Sequence, residues 1–451
     1  MAKIVLHVEV VGSKKVAEAL SPRQEICVIS KCEGILYDPG MNIRIVSLLP
    51  ALFPISLFAQ DNTPKPDPVT IDAAKFETLQ AAFDAVPESG GLVRLPAGTV
   101  EITEPLVVRT PETRIEGAGA STHIKNLNEA GKPALILEPT GYAENPKLRM
   151  WRVQLGNFRI SGNEKSGDGV HANGIQEIFI HGLSVDHHGG HGISLVNCYE
   201  DPRVSDSILT YNKKAGLFID SGHDIVVNAN HFEENQDAVF CTNGFNLCMN
   251  GNNLDDHLGN GVVIENTYGS VVSGNMIEEC NGTAIILDRD CYGITLSANV
   301  IAHDMEGGID LRDAHGCAVS ANTFTLVHRH SVRVGPESGR ITITGNSFSN
   351  SHIGNGKLKR PAEHERPISR DMGTGVVIEG ASLITISGNS FTGIEAEAVK
   401  ADAKSGKILV QGNLVSDWGR VKKDAKAFDL PEGNGVVVGQ NLVDETEKEG
   451  E

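Results

Sequence analysis

Five charged side chains at a near-constant spacing carry the clearest capacity for chemistry in this 451-residue sequence. Glu265, Asp288 and Arg312 follow one another at intervals of 23 and 24 residues, and Arg333 follows Asp310 by 23. A pair of carboxylates such as Asp288 and Asp310 can serve as acid and base in glycoside hydrolysis, provided they stand about 6.5–9.5 Å apart. β-Elimination at a uronate has other needs: a cation for the substrate carboxylate and a base for the proton α to it. Arg312 and Arg333 supply the cations, and His330 and His315 the bases. A lyase of this kind would hold Ca²⁺ on hard oxygen ligands, for which Glu265, Asp288 and Asp290 are the candidates. Phe218 and Phe240 offer faces on which a sugar ring can stack. The competing reading is that the charges form a ladder of solvated cross-strand pairs with no catalytic role.

Whether these residues meet depends on a repeat. An Asn followed two residues later by an apolar residue recurs at Asn230, Asn252, Asn275, Asn299, Asn322, Asn346, Asn389 and Asn413, at spacings of 22 to 24 with a single interval of 43. A second series is phase-locked to the first: Gly192-Ile193-Ser194-Leu195, Gly216-Leu217-Phe218-Ile219, Gly261-Val262-Val263-Ile264, Gly308-Ile309-Asp310-Leu311 and Gly375-Val376-Val377-Ile378. Alternating apolar positions put one face of each short strand inside. A single coil cannot bury its own core, so neighbours must stack. The Asn suits a left-handed turn position and can bond to the Asn of the next coil. The expectation is an all-β, single-stranded right-handed parallel β-helix of about 12 coils of ~23 residues. A short capping helix precedes it, with Asp72 as N-cap and Phe76, Leu79, Phe83 and Val86 at helical spacing.

The run Leu79-Gln80-Ala81-Ala82-Phe83-Asp84-Ala85-Val86, then Gly91-Leu92-Val93-Arg94-Leu95-Pro96-Ala97-Gly98 and Arg114-Ile115-Glu116-Gly117-Ala118-Gly119, resembles the capping helix and first coil of the pectate-lyase-like superfamily. The resemblance covers roughly residues 72–443. It implies a substrate groove on the outward face of the strand that carries the Gly-apolar-x-apolar signature. On that face one column runs Ser194, Phe218, Phe240, Val263, Ile286, Asp310, Arg333, Val377 and Lys400. The next runs Val196, Asp220, Thr242, Glu265, Asp288, Arg312, Gly335, Glu379 and Asp402. Gly167-Asp168-Gly169 and Gly190-His191-Gly192 resemble short motifs of polygalacturonases. Asp313-Ala314-His315 is similar to the Asp-Pro-His-Asp turn of mannuronan epimerases, without its Pro and second Asp. His187, His188 and His191 crowd one Gly-rich turn, where a solvated loop is expected over a metal site.

The 43-residue interval signals an insertion at residues 352–372, on the rim of the groove, where Lys357 and Arg360 are placed as substrate-binding cations. The remainder of the chain divides into a spurious extension at 1–40, a signal peptide at 41–59 with its basic Arg44 and apolar Ile45–Ala59 run, a Pro-rich linker at 60–70, the β-helix at 71–443 and an acidic tail at 444–451. Of eight cysteines, the six beyond the leader sit at different phases of the repeat, and buried thiols are expected over metal ligands or paired disulfides. With 39 Lys and Arg against 58 Asp and Glu, the formal charge of −19 speaks against nucleic acid. Arg312, Arg333 and the insertion nonetheless form a local positive patch. The function expected is a secreted, carbohydrate-active protein that cleaves an acidic polysaccharide as a lyase or hydrolase, with no membrane insertion after leader cleavage. The alternatives are a uronan C5-epimerase and a non-catalytic binding or scaffold β-helix.

Overall fold

The computed structural model describes residues 69–304, 306–349 and 374–444. The extension, the signal peptide, most of the linker, the 352–372 insertion with Lys357 and Arg360, and the tail beyond residue 444 therefore lie outside the described residues.

Each coil contributes three strands, and every strand pairing in the coil stack is parallel. In the coil that starts at Leu217 these are Leu217–His223, Val226–Asn228 and His231–Glu233. The first belongs to a 13-stranded groove sheet running from Leu106–Val108 to Phe428–Asp429. The third belongs to a 14-stranded sheet and the second to a 17-stranded one. In the last sheet two short strands, Cys291–Tyr292 and Ala314–His315, lie along an edge, leaving a stack fifteen coils deep from Thr70–Asp72 to Val437–Val438. The solenoid is longer than the twelve coils expected because its first coils carry no Asn marker. At the position of Asn230, the coil before has Ser207.

Inside, like stacks on like. Ile219, Cys241, Ile264, Leu287, Leu311 and Val334 are at most 1 % exposed, and Phe324, Phe348 and Phe391 stack nearly parallel with centroids 4.8 and 4.5 Å apart. Each such fully buried side chain is worth about 1.5–3 kcal/mol, a gain available only between coils.

The Asn ladder forms as expected and continues to Asn441. At each rung the Asn Oδ1 accepts both the backbone N–H and the side-chain Nδ2–H of the Asn one coil earlier, as Asn299 does from Asn275 at 3.0 and 2.9 Å. The left-handed residue of the turn, however, is the one before each Asn: Ala229, Gly251, Gly274, Ala298, Ala321, Gly345, Gly388 and Gly412. The Asn is buried and is retained for its amide.

At the amino end, Asp72 caps a single 3₁₀ turn at Ala73–Lys75. The α-helix is shorter than the apolar spacing suggested, Leu79–Asp84, and its N-cap is Thr78. Of the cysteines, Cys198, Cys241, Cys280, Cys291 and Cys317 are buried free thiols and Cys248 is half-buried. Burial pushes the Cys198, Cys241 and Cys291 thiols up to about 12, so they pack as small hydrophobes.

Candidate functional site

The first groove column falls into register residue by residue: Ser194, Phe218, Phe240, Val263, Ile286, Asp310, Arg333, Val377 and Lys400 are paired in succession. It extends upstream through His171 to Ile136 and downstream to Asp429. The second column pairs from Asn173 through Val196, Asp220, Thr242 and Glu265 to Asp288. Arg312 lies one residue past the last pairing, Leu287 with Leu311.

The charges of the two columns are joined into one network. Asp310, although it faces outward, is buried. Its Oδ2 accepts from Arg312 Nε at 2.8 Å and its Oδ1 from Arg333 Nη1 at 2.9 Å. Arg333 also donates through Nε and Nη2 to Glu379 Oε2 at 2.9 and 2.6 Å. Arg312 reaches on to Asp288 at 3.7 Å, and Glu265 pairs with Arg289 at 3.0 Å. Burial works against the charge on Arg333, but its bonds to Asp310 and Glu379 outweigh this and raise its pKa.

Asp310 is therefore occupied on both oxygens, which disfavours its use as a free acid or base. Asp288 is the more open carboxylate, held by the Arg289 N–H at 2.8 Å and loosely by Arg312. Glu265 and Asp288 each carry an arginine partner, so they form no bare oxygen cradle for Ca²⁺. An Arg presents five N–H donors, and Arg312, with 44 % of its side chain exposed, keeps donors for a ligand.

His330 opens the strand that carries Arg333. Its ring rests over Gly307 of the preceding coil, where an added Cβ would stand 3.4–3.5 Å from the imidazole. Burial lowers its pKa, with Asp310 and Glu379 opposing and Arg333 and Arg329 assisting. The result is an imidazole that stays neutral through neutral pH and can take a proton. Next to Asp288 the backbone is unusual: Arg289 and Asp290 are successive non-Gly residues at φ 54° and 60°, and the Asp290 N–H donates to Asp313 at 2.7 Å. Backbone in this region costs energy and is concentrated at ligand sites.

Phe218 and Phe240 are half-buried neighbours with centroids 5.8 Å apart. They line the groove, and His191 stacks on Phe218 at 4.6 Å. His315 sits on the groove's downstream rim, 3.5 Å from Asp313, at the end of a column the sequence reading missed. That column runs His223, Phe245, Tyr268, Tyr292 and His315 over successive coils. Phe245 and Tyr268 lie 4.5 Å apart and Tyr268 and Tyr292 6.1 Å apart, with both tyrosines exposed. The only signal for it in the sequence was an aromatic ring at the end of, or three to four residues past, five successive groove strands.

The His-rich turn is not the solvated loop expected. His188 is buried inside the solenoid, His191 turns onto Phe218, and His187 stacks on Tyr211 at 4.9 Å on the other side. The three rings diverge, which removes the case for a shared metal.

The family described as "Right handed beta helix region" matches residues 149–254, and the family "Periplasmic copper-binding protein (NosD)" matches residues 203–364 and 251–421. Among solved structures, the A-module of the Azotobacter vinelandii mannuronan C-5 epimerase AlgE6 is similar at 18 % identity and a TM-score of 0.51, over 84 % of this chain and 100 % of that one. A mutant of the periplasmic alginate epimerase AlgG aligns at 11 % identity and 0.50, over 83 % of each chain. The pre-mature bacteriophage phi29 gene product 12 aligns at 12 % identity and 0.54, over 75 % of this chain and 54 % of that one. At such identities the likeness concerns the fold alone. No curated protein sequence matches the chain.

The copper of the NosD description can be tested against the donors present. Among the described residues, the group of three His, Cys, Asp or Glu side chains whose ligand atoms lie within 4.8 Å of one another is Asp255, Asp256 and Glu279. Copper prefers imidazole and sulfur to an all-carboxylate set, so the described residues do not fit it. No helix among them is long and apolar enough to cross a membrane.

Proposed function

Starting from the fact that the chain is a right-handed parallel β-helix repeat protein, we propose that it acts outside the cytoplasm on an extended acidic polysaccharide laid along the groove. Its chemistry, in this reading, begins with removal of the proton α to a uronate carboxylate. The observation that carries the reading is the Asp310 carboxylate clamped between Arg312 and Arg333, with a neutral His330 on the same strand as Arg333. Asp310 holds both guanidinium groups in place, and their remaining N–H donors meet the substrate carboxylate. As its negative charge grows, those donors stabilise it without reorganising.

His330 takes the proton, and the C–H electron pair passes into the carboxylate. From that intermediate two outcomes conserve atoms. Expulsion of the glycosidic oxygen, which takes up the proton held by His330, leaves an unsaturated sugar; delivery of a proton from water to the opposite face, with the His330 proton passing to solvent, leaves the chain intact with one centre inverted. Hydrolysis by Asp288 and Asp310 is the less supported route, because Asp310 has no free oxygen. The solenoid neighbours that are named as polysaccharide epimerases favour the same class of substrate.

A non-catalytic binding protein is the second reading. It is favoured by the completeness of the ion-pair network, in which Glu265, Asp288, Asp310 and Glu379 each have an arginine partner. The full chain, incubated with alginate, polygalacturonate and sulfated glycans with and without a chelator, separates these outcomes. Unsaturated ends mark a lyase, changed uronate composition without cleavage an epimerase, saturated new ends a hydrolase, and binding alone the second reading. His330→Gln is expected to lower the rate by about 10²–10⁴-fold; retention of full activity would remove His330 from the mechanism.

A further inference from the structure

The amino-terminal end of the groove holds a second cluster of imidazoles whose hydrogen bonds fix their tautomers. His171 occupies the first groove column, in register with Ser194. Its Nδ1 lies 2.9 Å from Asp168 Oδ2. The other Asp168 oxygen accepts the His191 N–H at 2.7 Å. Burial opposes the charge on Asp168, but its bonds from His171 and His191 keep it ionised. An ionised carboxylate can only accept, so His171 donates through Nδ1 and leaves the lone pair of Nε2 for a ligand.

His191 is set the other way. Its Nδ1 accepts the backbone N–H of Ala215 at 3.2 Å, which places the proton on Nε2. Burial holds this ring near a pKa of about 4, so it is a fixed neutral donor. One acceptor and one donor thus flank a single half-buried carboxylate. His191 in turn stacks on Phe218, and Phe218 neighbours Phe240. Over Asp168 and His171 opens a cavity of about 410 Å³, lined by these two with Gly190 and Lys214 among others. A donor, an acceptor, an aromatic edge and a cation are what an anionic sugar presents partners for: vicinal hydroxyls, a ring face and a carboxylate.

We propose that Asp168, His171, His191, Lys214 and Phe218 form a distal subsite for one uronate residue of a polysaccharide that spans the groove. In it a sugar hydroxyl donates to His171 Nε2, a second accepts from His191 Nε2–H, and Lys214 meets the carboxylate. This rests on the proposed function for the identity of the polymer but not for its chemistry. His171 lies six coils from Asp310 along one column, about 29 Å at ~4.8 Å per strand. Only an oligomer long enough to cover that distance engages both ends, and shorter oligomers reach one end only. Joining two subsites on one chain raises avidity without new contacts.

The test is calorimetric binding of mannuronate and galacturonate oligomers of increasing length to the full chain, together with NMR of selectively labelled histidines. Affinity is expected to rise about tenfold or more once the oligomer is long enough to span both ends. His171→Asn and Lys214→Gln should each abolish that rise while leaving the affinity for the shortest oligomers that occupy the Asp310 end unchanged. Lys214 is a cavity-lining cation, so its variant keeps the test valid if replacing His171 disturbs folding. In the wild type, long oligomers should shift both the His171 and His191 ring signals. Long and short oligomers binding equally, or ring signals unmoved by a bound long oligomer, would overturn the subsite. A chain that binds long oligomers through these histidines but alters none of them would instead refute only the proposed chemistry.

Discussion

At the scale of single residues, imidazoles in this chain are sorted by what surrounds them. His171 lies in the first groove column and His330 opens the strand of Arg333, both half-buried, whereas His188 and His257 are fully buried. Both His257 ring nitrogens and Nε2 of His188 lack a protein partner. Burial lowers each of these two to about 4. In the unfolded chain the same rings titrate near 6.5, so between about pH 6.5 and 4 the unfolded state binds more protons. Stability is therefore whole above pH 6.5 and is lost as pH falls through that window, by up to about 3 kcal/mol per ring. His257→Asn should flatten the acid side of a plot of unfolding midpoint against pH; an unchanged slope would show that His257 is solvated and titrates normally. Asn is the apt replacement because Asn212 and Asn235 precede His257 in the same inward column and bond to each other there. Further along that column burial raises Asp304 well above an ordinary carboxylate, which has the opposite sign and penalises folding as pH rises.

At the scale of elements, the Asn ladder is what locks one coil to the next. Asn299 makes four side-chain bonds: it accepts from Asn275 N and Nδ2, and its Nδ2 donates to Val272 O and Asn322 Oδ1. Asn299→Ala deletes all four in a buried turn and leaves several groups unsatisfied, for an expected loss of about 3 kcal/mol. Asn299→Asp keeps the acceptor but loses the donor and adds a buried charge, so it should be no milder. Urea unfolding of the two variants checks this, and a loss below about 1 kcal/mol would mean that water replaces the ladder. Because each coil contacts only its neighbours, the damage should stay local in hydrogen exchange, centred on the coils of Asn275 and Asn322.

At the scale of the whole molecule, the stacked columns turn short motifs into long surfaces. Phe245, Tyr268 and Tyr292 are each separated by a full coil in the sequence yet form one aromatic row along the coil stack, its two tyrosines exposed. On the proposed function, a polymer running along the groove would meet this row on its downstream rim. Tyr268→Ala and Tyr292→Ala should each weaken binding of a long polysaccharide by roughly fivefold. Neither should move the unfolding midpoint, since both rings are exposed. Affinity unchanged in the double variant would take the row out of the binding surface.

The repeat by itself determined the fold and the register of the groove columns. A fixed period of about 23 residues with alternating polarity forces coils to stack, and stacking forces residues one period apart into contact. That is why Asp310 and Arg333, and Glu265 and Asp288, were legible as neighbours before any coordinates. What lay between strands was not legible in the same way. In the turns the alternation of inward and outward residues breaks at left-handed positions such as Ser221, Asp224 and Arg289, and each break redirects the side chains that follow. So the tertiary structure alone placed the tyrosine row on the rim, paired Arg289 with Glu265, and sent His187, His188 and His191 in three directions. It also decided the state of the charges. The sequence supplied carboxylates and arginines in register, but only their geometry showed that both oxygens of Asp310 are taken up in holding the Arg312 and Arg333 guanidinium groups.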